Sequence, residues 1–364
     1  MNPHNAQLND LGQRLWLDNI TRELLTSGTL ARYIAELSVT GLTSNPTIFE
    51  QAISSGNAYD NAILKLAASG LSDEGIFFEL ALEDLRQAAD LFRPIFNQTA
   101  GVDGWVSLEV SPLFAHDTAN TIKTALELHA RAARPNLFIK IPGTPAGIPA
   151  IEQSIFNGVP INVTLLFSRE HYVAAAAAYM RGIERRIEAG LDPGVASVAS
   201  LFVSRWDAAV KGDVASQFQN RLGVAMAMRT YKAYRDQLVS ERWQKLAAAG
   251  ARPQRLLWAS TGAKDPTVRD TFYIEALAAT GTINTIPEKT LLAFADHGRV
   301  GQPLSADGGY AEAVLEEFRR EGIDDEALAM RLQHDGVDAF AKSWQQLMLR
   351  IREKSSRMSP PLSA

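Results

Sequence analysis

One lysine, Lys140, stands inside the apolar run Leu137-Phe138-Ile139-Lys140-Ile141-Pro142, between Pro135-Asn136 and Gly143. Such a run reads as a buried strand of a parallel sheet. An ammonium group placed there must reach solvent, find a carboxylate or give up its proton. The third outcome yields an amine that attacks carbonyl carbon. Taken alone, the lysine is better explained as a strand-end residue reaching water, since lysine is rarely fully buried unless paired. Its companions change the reading.

Polar residues recur where other short apolar runs end. Asp18 closes Arg14–Asp18, and Gly41–Ser44 leads into Asn45-Pro46. Glu109 lies in Trp105–Val110, and Asn162 and Thr164 share one face of Pro160–Phe167. Ser200 lies in Val195–Val203, Arg205 follows it, and Arg255–Ser260 runs into Thr261-Gly262-Ala263-Lys264. Each residue has a structural explanation. Asp18 could cap a helix starting near Thr21, Asn45-Pro46 is a good N-cap followed by proline, and Glu109 and Lys140 could form an ion pair. Together they suit Schiff-base chemistry. Lys140 would attack a ketone, and the iminium formed after loss of water would draw electrons from the neighbouring carbon–carbon bond. The reaction needs one group to shuttle protons during dehydration and one to deprotonate the hydroxyl at the cleaved carbon. Asp18 and Glu109 are the two available carboxylates. Asn45, Asn162 and Ser200 can hold polyol hydroxyls, and Arg205 and Lys264 can grip a phosphate.

These residues must be carried by strands that share one rim. With Ile283–Ile286, the apolar runs number eight, and helical patterns separate them. Ser72–Phe96, Asp117–Ala133, Arg169–Ala189 and Phe218–Ala249 all show helical spacing, with Gly190 as a C-cap. Eight strands alternating with helices predict an α/β protein, a (β/α)8 TIM barrel whose catalytic residues gather at the C-terminal strand ends. A doubly wound open sheet is the alternative. No GxGxxG or GxxxxGK[ST] motif supports nucleotide binding. The expected organisation is a single barrel domain over 1–364, with 302–354 as packed helices and 355–364 as a frayed tail.

Composition narrows the function classes. The chain has 364 residues, 46% hydrophobic and 21% charged, with a formal net charge of -5. That balance argues against a nucleic-acid surface. With no cysteine, disulfides, thiol nucleophiles and cysteine zinc sites are excluded. The six histidines are scattered and form no HExxH, so no metal is expected. Met1–Asp10 does not read as a signal peptide, and Ala174–Ala178 is too short to span a membrane. The expected location is cytoplasmic, without nucleic-acid or membrane partners.

The chain resembles the transaldolase family over Leu15 to about Gly298. The resemblance rests on Leu42-Thr43-Ser44-Asn45-Pro46-Thr47, Val106-Ser107-Leu108-Glu109-Val110, Phe138-Ile139-Lys140-Ile141-Pro142 and Ile161-Asn162-Val163-Thr164-Leu165-Leu166-Phe167-Ser168. It implies a cofactor-free enzyme that moves a dihydroxyacetone unit between sugar phosphates; the sequence leaves both monomer and homodimer open. It also implies roles for individual residues. Lys140 would form the Schiff base, Asp18 would be the acid/base for carbon–carbon cleavage, and Glu109 and Thr164 would hold a water for dehydration. Asn45, Asn162 and Ser200 would bind the three-carbon unit, and Arg205 and Ser260 the phosphate. The chain departs from the family pattern twice. It has Ser260-Thr261-Gly262 where many members have Ser-Phe-Arg, and Val203-Ser204-Arg205 where Val-Gly-Arg is common. Lys264 is the expected substitute for the missing arginine. Schiff-base aldolase lyases, sugar-phosphate isomerases and non-catalytic sugar-phosphate-binding barrels are the competing readings.

Overall fold

The computed structural model describes residues 2–356. Eight parallel strands close into a barrel in chain order. They are β1 (Arg14–Asp18), β2 (Val39–Thr43), β3 (Val106–Glu109), β4 (Leu137–Pro142), β5 (Ile161–Leu166), β6 (Ser197–Phe202), β7 (Arg255–Ala259) and β8 (Ile283–Ile286). Every residue of β4, β5 and β6 is buried. Strands covered on both faces lose the alternating pattern and read as continuous apolar runs.

The two faces of the strands have different roles. Leu15, Leu17, Ile139, Ile141, Val163 and Leu256 join the layer packed against the surrounding helices. Trp16, Phe138, Val198, Leu257 and Ile283 belong to a second cluster with Trp105, whose ring stacks on Phe138 at 4.0 Å. Two residues beyond Trp16, Phe138 and Val198 on the same strand faces stand Asp18, Lys140 and Ser200. The polar layer therefore rests on an aromatic and aliphatic floor.

β1, β4 and β8 have the expected bounds. β2 starts two residues earlier than expected, because Gly41 is an interior position. A Cβ there would lie 2.6 Å from the Trp16 indole, so only glycine lets that ring pass. The helix expected over 218–249 is two helices, Leu222–Val239 and Glu241–Ala248, broken at Ser240, whose side chain caps Trp243 N. Thr21, rather than Asp18, caps the helix Arg22–Thr26.

The C-terminal segment is helical over Ala311–Arg320 and Asp325–Ser356, while 302–310 of the expected helical region is loop and turn. The second helix continues through Ser356, so Ser355 and Ser356 are part of it; residues 357–364 of the expected tail lie outside the described residues. This terminal helix reaches the C-terminal mouth of the barrel. Trp344 meets Phe77 edge-on at 4.9 Å, and Ser343 Oγ lies 2.8 Å from Thr47 Oγ1.

Candidate active site

A pocket opens at the C-terminal ends of the strands, with Asp18, Asn45, Lys140, Thr164, Ser200, Arg205 and Ser260 in its lining. Strand register makes the central pair: Glu109 of β3 lies beside Lys140 of β4, and Lys140 beside Asn162 of β5. Lys140 Nζ is 3.1 Å from Glu109 Oε2 and donates to Ser44 O at 2.9 Å. Of the three outcomes open to a buried lysine, this chain takes the carboxylate. The ion pair is in contact without hydrogen-bond alignment, since Glu109 Oε2 has no hydrogen-bond partner among the described residues.

Burial drives the carboxylates. It pushes the Glu109 carboxyl above its ordinary range, with Asp18 adding to the rise, against the lowering by Lys140 and Arg205. A carboxylate with raised proton affinity, touching an ammonium, is well placed to take its proton. Burial also raises Asp18, opposed by Lys140 and by the hydrogen bond from Thr43. Thr43 Oγ1 lies 2.8 Å from Asp18 Oδ1 and 2.6 Å from Thr285 Oγ1, so three strands fix that carboxylate.

The polyol candidates divide. Asn45 Oδ1 caps the helix Pro46–Ser54 by accepting from Ile48 N at 3.0 Å, which fixes the side chain at the pocket. The cap and the pocket position are compatible, because the cap uses only the amide oxygen. Ser200 donates to Asn162 Oδ1 at 2.7 Å, and Asn162 Nδ2 donates to Ser107 Oγ at 3.1 Å. Asn162 is fully buried behind the pocket wall, where it orients Ser200. Thr164 Oγ1 is buried at the pocket with no hydrogen-bond partner among the described residues.

Arg205 makes no ion pair among the described residues, and its guanidinium lies between the rings of Phe202 (5.2 Å) and Phe340 (5.8 Å). Burial lowers its pKa, countered by Asp335 and Glu109. Ser260, held at φ 55, places its hydroxyl 3.0 Å from Ser204 Oγ. Lys264 is not in this pocket. It lines an adjoining cavity with Ser204, Lys211 and Asn220. Asp265 pairs with Lys211 at 3.1 Å. Much of the Lys264 side chain is exposed, yet crowding around its ammonium lowers its pKa, and the Arg205 charge lowers it further. At Gly262, an added Cβ would be 3.1 Å from Pro287 Cγ, so Pro287 must yield before an arginine could stand there.

Thr43, Ser107, Thr285, Phe202 and Phe340 also shape the site, and the sequence reading gives none of them a role. Asn284-Thr285 inside the apolar run of β8 was a usable signal, of the same kind as Lys140 in β4. Phe340 carried none, because an aromatic residue on a long helix reads as ordinary core.

A closed (β/α)8 barrel with its polar pocket at the C-terminal mouth is the architecture of a barrel enzyme. The transaldolase/fructose-6-phosphate aldolase family model matches residues 15–351, through most of the terminal helix. A transaldolase of Saccharopolyspora erythraea is 44% identical over 354 residues, covering 95% of this chain and 96% of its own. Transaldolases of Thermobifida fusca (44% identical, 96% of this chain, 97% of its own) and Thiobacillus denitrificans (44%, 94% and 97%) are similar over the same extent. The chain belongs to the transaldolase/fructose-6-phosphate aldolase family.

Proposed function

We propose that the chain is a cytoplasmic transaldolase of the non-oxidative pentose phosphate pathway. It moves a dihydroxyacetone unit from fructose 6-phosphate or sedoheptulose 7-phosphate to glyceraldehyde 3-phosphate or erythrose 4-phosphate. The observation that carries this reading is Lys140 Nζ, 3.1 Å from the buried Glu109 carboxylate at the edge of a polar pocket. Glu109 takes a proton from the Lys140 ammonium, and the free amine adds to the ketose C2 carbonyl. Glu109 and Thr164 then hold the water that shuttles protons as hydroxide leaves the carbinolamine. Asp18 removes the proton from the C4 hydroxyl, the C3–C4 bond breaks, and its electrons pass to the iminium to give an enamine. The aldose leaves, and the enamine adds to the acceptor aldehyde while Asp18 returns the proton; water then adds to the product iminium, and the C–N bond breaks to release the new ketose and the Lys140 amine. Asn45 and Ser200, the latter oriented by Asn162, hold the three-carbon unit. No helix among the described residues is long and apolar enough to cross a membrane.

The test is mass spectrometry after borohydride treatment with fructose 6-phosphate. One reduced three-carbon adduct on Lys140 is expected; an adduct on another residue would overturn the reading. Release of free dihydroxyacetone at full rate without an acceptor would identify a lyase.

Arg205 and Ser260 hold the phosphate, and Lys264 approaches it across the Ser204–Ser260 wall. Arg205→Ala should raise KM for phosphorylated sugars about 10- to 100-fold, the loss of a charge-assisted contact. Lys264→Ala should raise it less, and neither change should alter turnover of unphosphorylated sugars. A lysine is charged only below its pKa, and this one is lowered. KM should therefore climb on the alkaline side earlier than for an ordinary lysine, and Lys264→Arg should remove that limb. An unchanged KM profile in Lys264→Ala would assign the lysine to the surface alone.

A further inference from the structure

The end of β5 is irregular. Leu165, fully enclosed, has φ 58, a left-handed backbone that branched side chains disfavour. Pairing of β5 with β6 is interrupted between Val163 and Leu166. Thr164, immediately before the distortion, turns to the pocket a hydroxyl with no partner among the described residues, while its carbonyl accepts from Gly143 N at 2.7 Å.

A side chain from the terminal helix holds the irregular end of β5 to the chain leaving β4. Gln333 Nε2 donates to Leu165 O at 2.9 Å and to Gly143 O at 3.1 Å. Both amide protons are thus committed, one to the strand of Thr164 and one to the chain leaving the strand of Lys140. Gln333 itself is buried. One turn on, a Cβ at Gly336 would lie 2.9 Å from Leu165 Cδ2 and 3.3 Å from Arg205 Nη1. Glycine there lets the helix backbone settle directly on the distorted residue.

We infer that Gln333 is a positioning residue for the dehydration step: it holds the left-handed Leu165 carbonyl and thereby aims the Thr164 hydroxyl at the catalytic water. The inference rests on the role given to Thr164 above. Gln333 touches no substrate. Its effect passes through the backbone of β5, where a small misplacement of the hydroxyl slows the step it serves.

The test measures the rate of borohydride-trappable adduct formation with fructose 6-phosphate in Gln333→Met, Thr164→Val and the double variant. KM and thermal unfolding are measured in parallel. Gln333→Met keeps the length of the side chain and removes the donors. It should slow trapping about 10- to 100-fold, with KM for fructose 6-phosphate unchanged. Thr164→Val should be slow as well, and adding Gln333→Met to it should cost nothing more, because both act on one hydroxyl. A purely structural role would lower the unfolding temperature and leave the trapping rate per folded molecule at wild type. Multiplying losses in the double variant, or wild-type trapping in Gln333→Met, overturns the inference and leaves Thr164 in its role. Wild-type trapping in Thr164→Val overturns both. If Gln333→Met fails to fold, Gln333→Asn, which keeps the donors one methylene short of the two carbonyls, decides by the same readings.

Discussion

Lys140→Ala should form no borohydride-trappable adduct and should lose turnover by about 10⁴-fold or more, as expected when the nucleophile itself is removed. The substitution also strands Glu109. A carboxylate buried without its cation is strongly unfavourable in the charged form, so Glu109 takes up a proton instead. Burial is the main force raising its pKa even with the lysine present, and that force is then opposed by one charge fewer. A carboxyl whose pKa is raised in the folded state favours folding below its unfolded pKa, and that contribution is lost as pH rises through the folded value. The stability of Lys140→Ala relative to wild type should therefore fall as pH rises. Adding Glu109→Gln should restore stability at neutral pH without restoring the adduct. Activity near wild type in Lys140→Ala would remove the lysine from the mechanism. An unfolding midpoint independent of pH would remove the ion pair from the energetics.

Asp18→Asn and Glu109→Gln should fail at different steps. Asp18→Asn should trap the ketose at the normal rate and cleave it about 10²–10⁴-fold more slowly, since no base takes the C4 hydroxyl proton. Asparagine can still accept the bond from Thr43, so the geometry survives. Glu109→Gln should slow the appearance of the adduct itself. Asp18 must be ionised to act as a base, and burial raises its pKa. The acid limb of carbon–carbon cleavage should thus lie above the ordinary aspartate range and belong to Asp18. Stopped-flow quenching with borohydride separates the two phases; slow trapping in Asp18→Asn with normal trapping in Glu109→Gln would exchange the two roles.

The strands were legible because a doubly covered strand is apolar along its whole length, so a charge or amide within it stands out. Lys140, Glu109 and Asn162 were found in that way. The same signal did not separate a pocket wall from the layer behind it, and Asn162 belongs to that layer. Short helices escaped notice where capping rather than periodicity defines them, as with Asn2 at Pro3–Leu11 and Ser240 within 218–249. The expected place of Lys264 rests on its spacing along a turn, and turns fix direction poorly. Its neighbours, Ser204 and Lys211, come from a different connection. Gln333 and Phe340 could not be read at all. Their relation to β4 and β5 exists only after the chain has folded across the barrel mouth, and a buried glutamine on a long helix has no spacing that marks it.

The terminal helix also sets a schedule. Chains are made from the amino end at about 5–20 residues per second, so the segment from β8 to the end of this helix takes roughly 4–14 seconds more. The sheet can shut on the ribosome while Leu165 lacks its clamp and Arg205 lacks the ring of Phe340. A nascent barrel in that interval already holds Lys140, while the carbonyl after Thr164 lacks its Gln333 donor and Arg205 has one aromatic neighbour instead of two. On the roles proposed for Thr164, Gln333 and Arg205, competence arrives as a late event of synthesis, at the emergence of Asp325–Ser356, rather than at barrel closure.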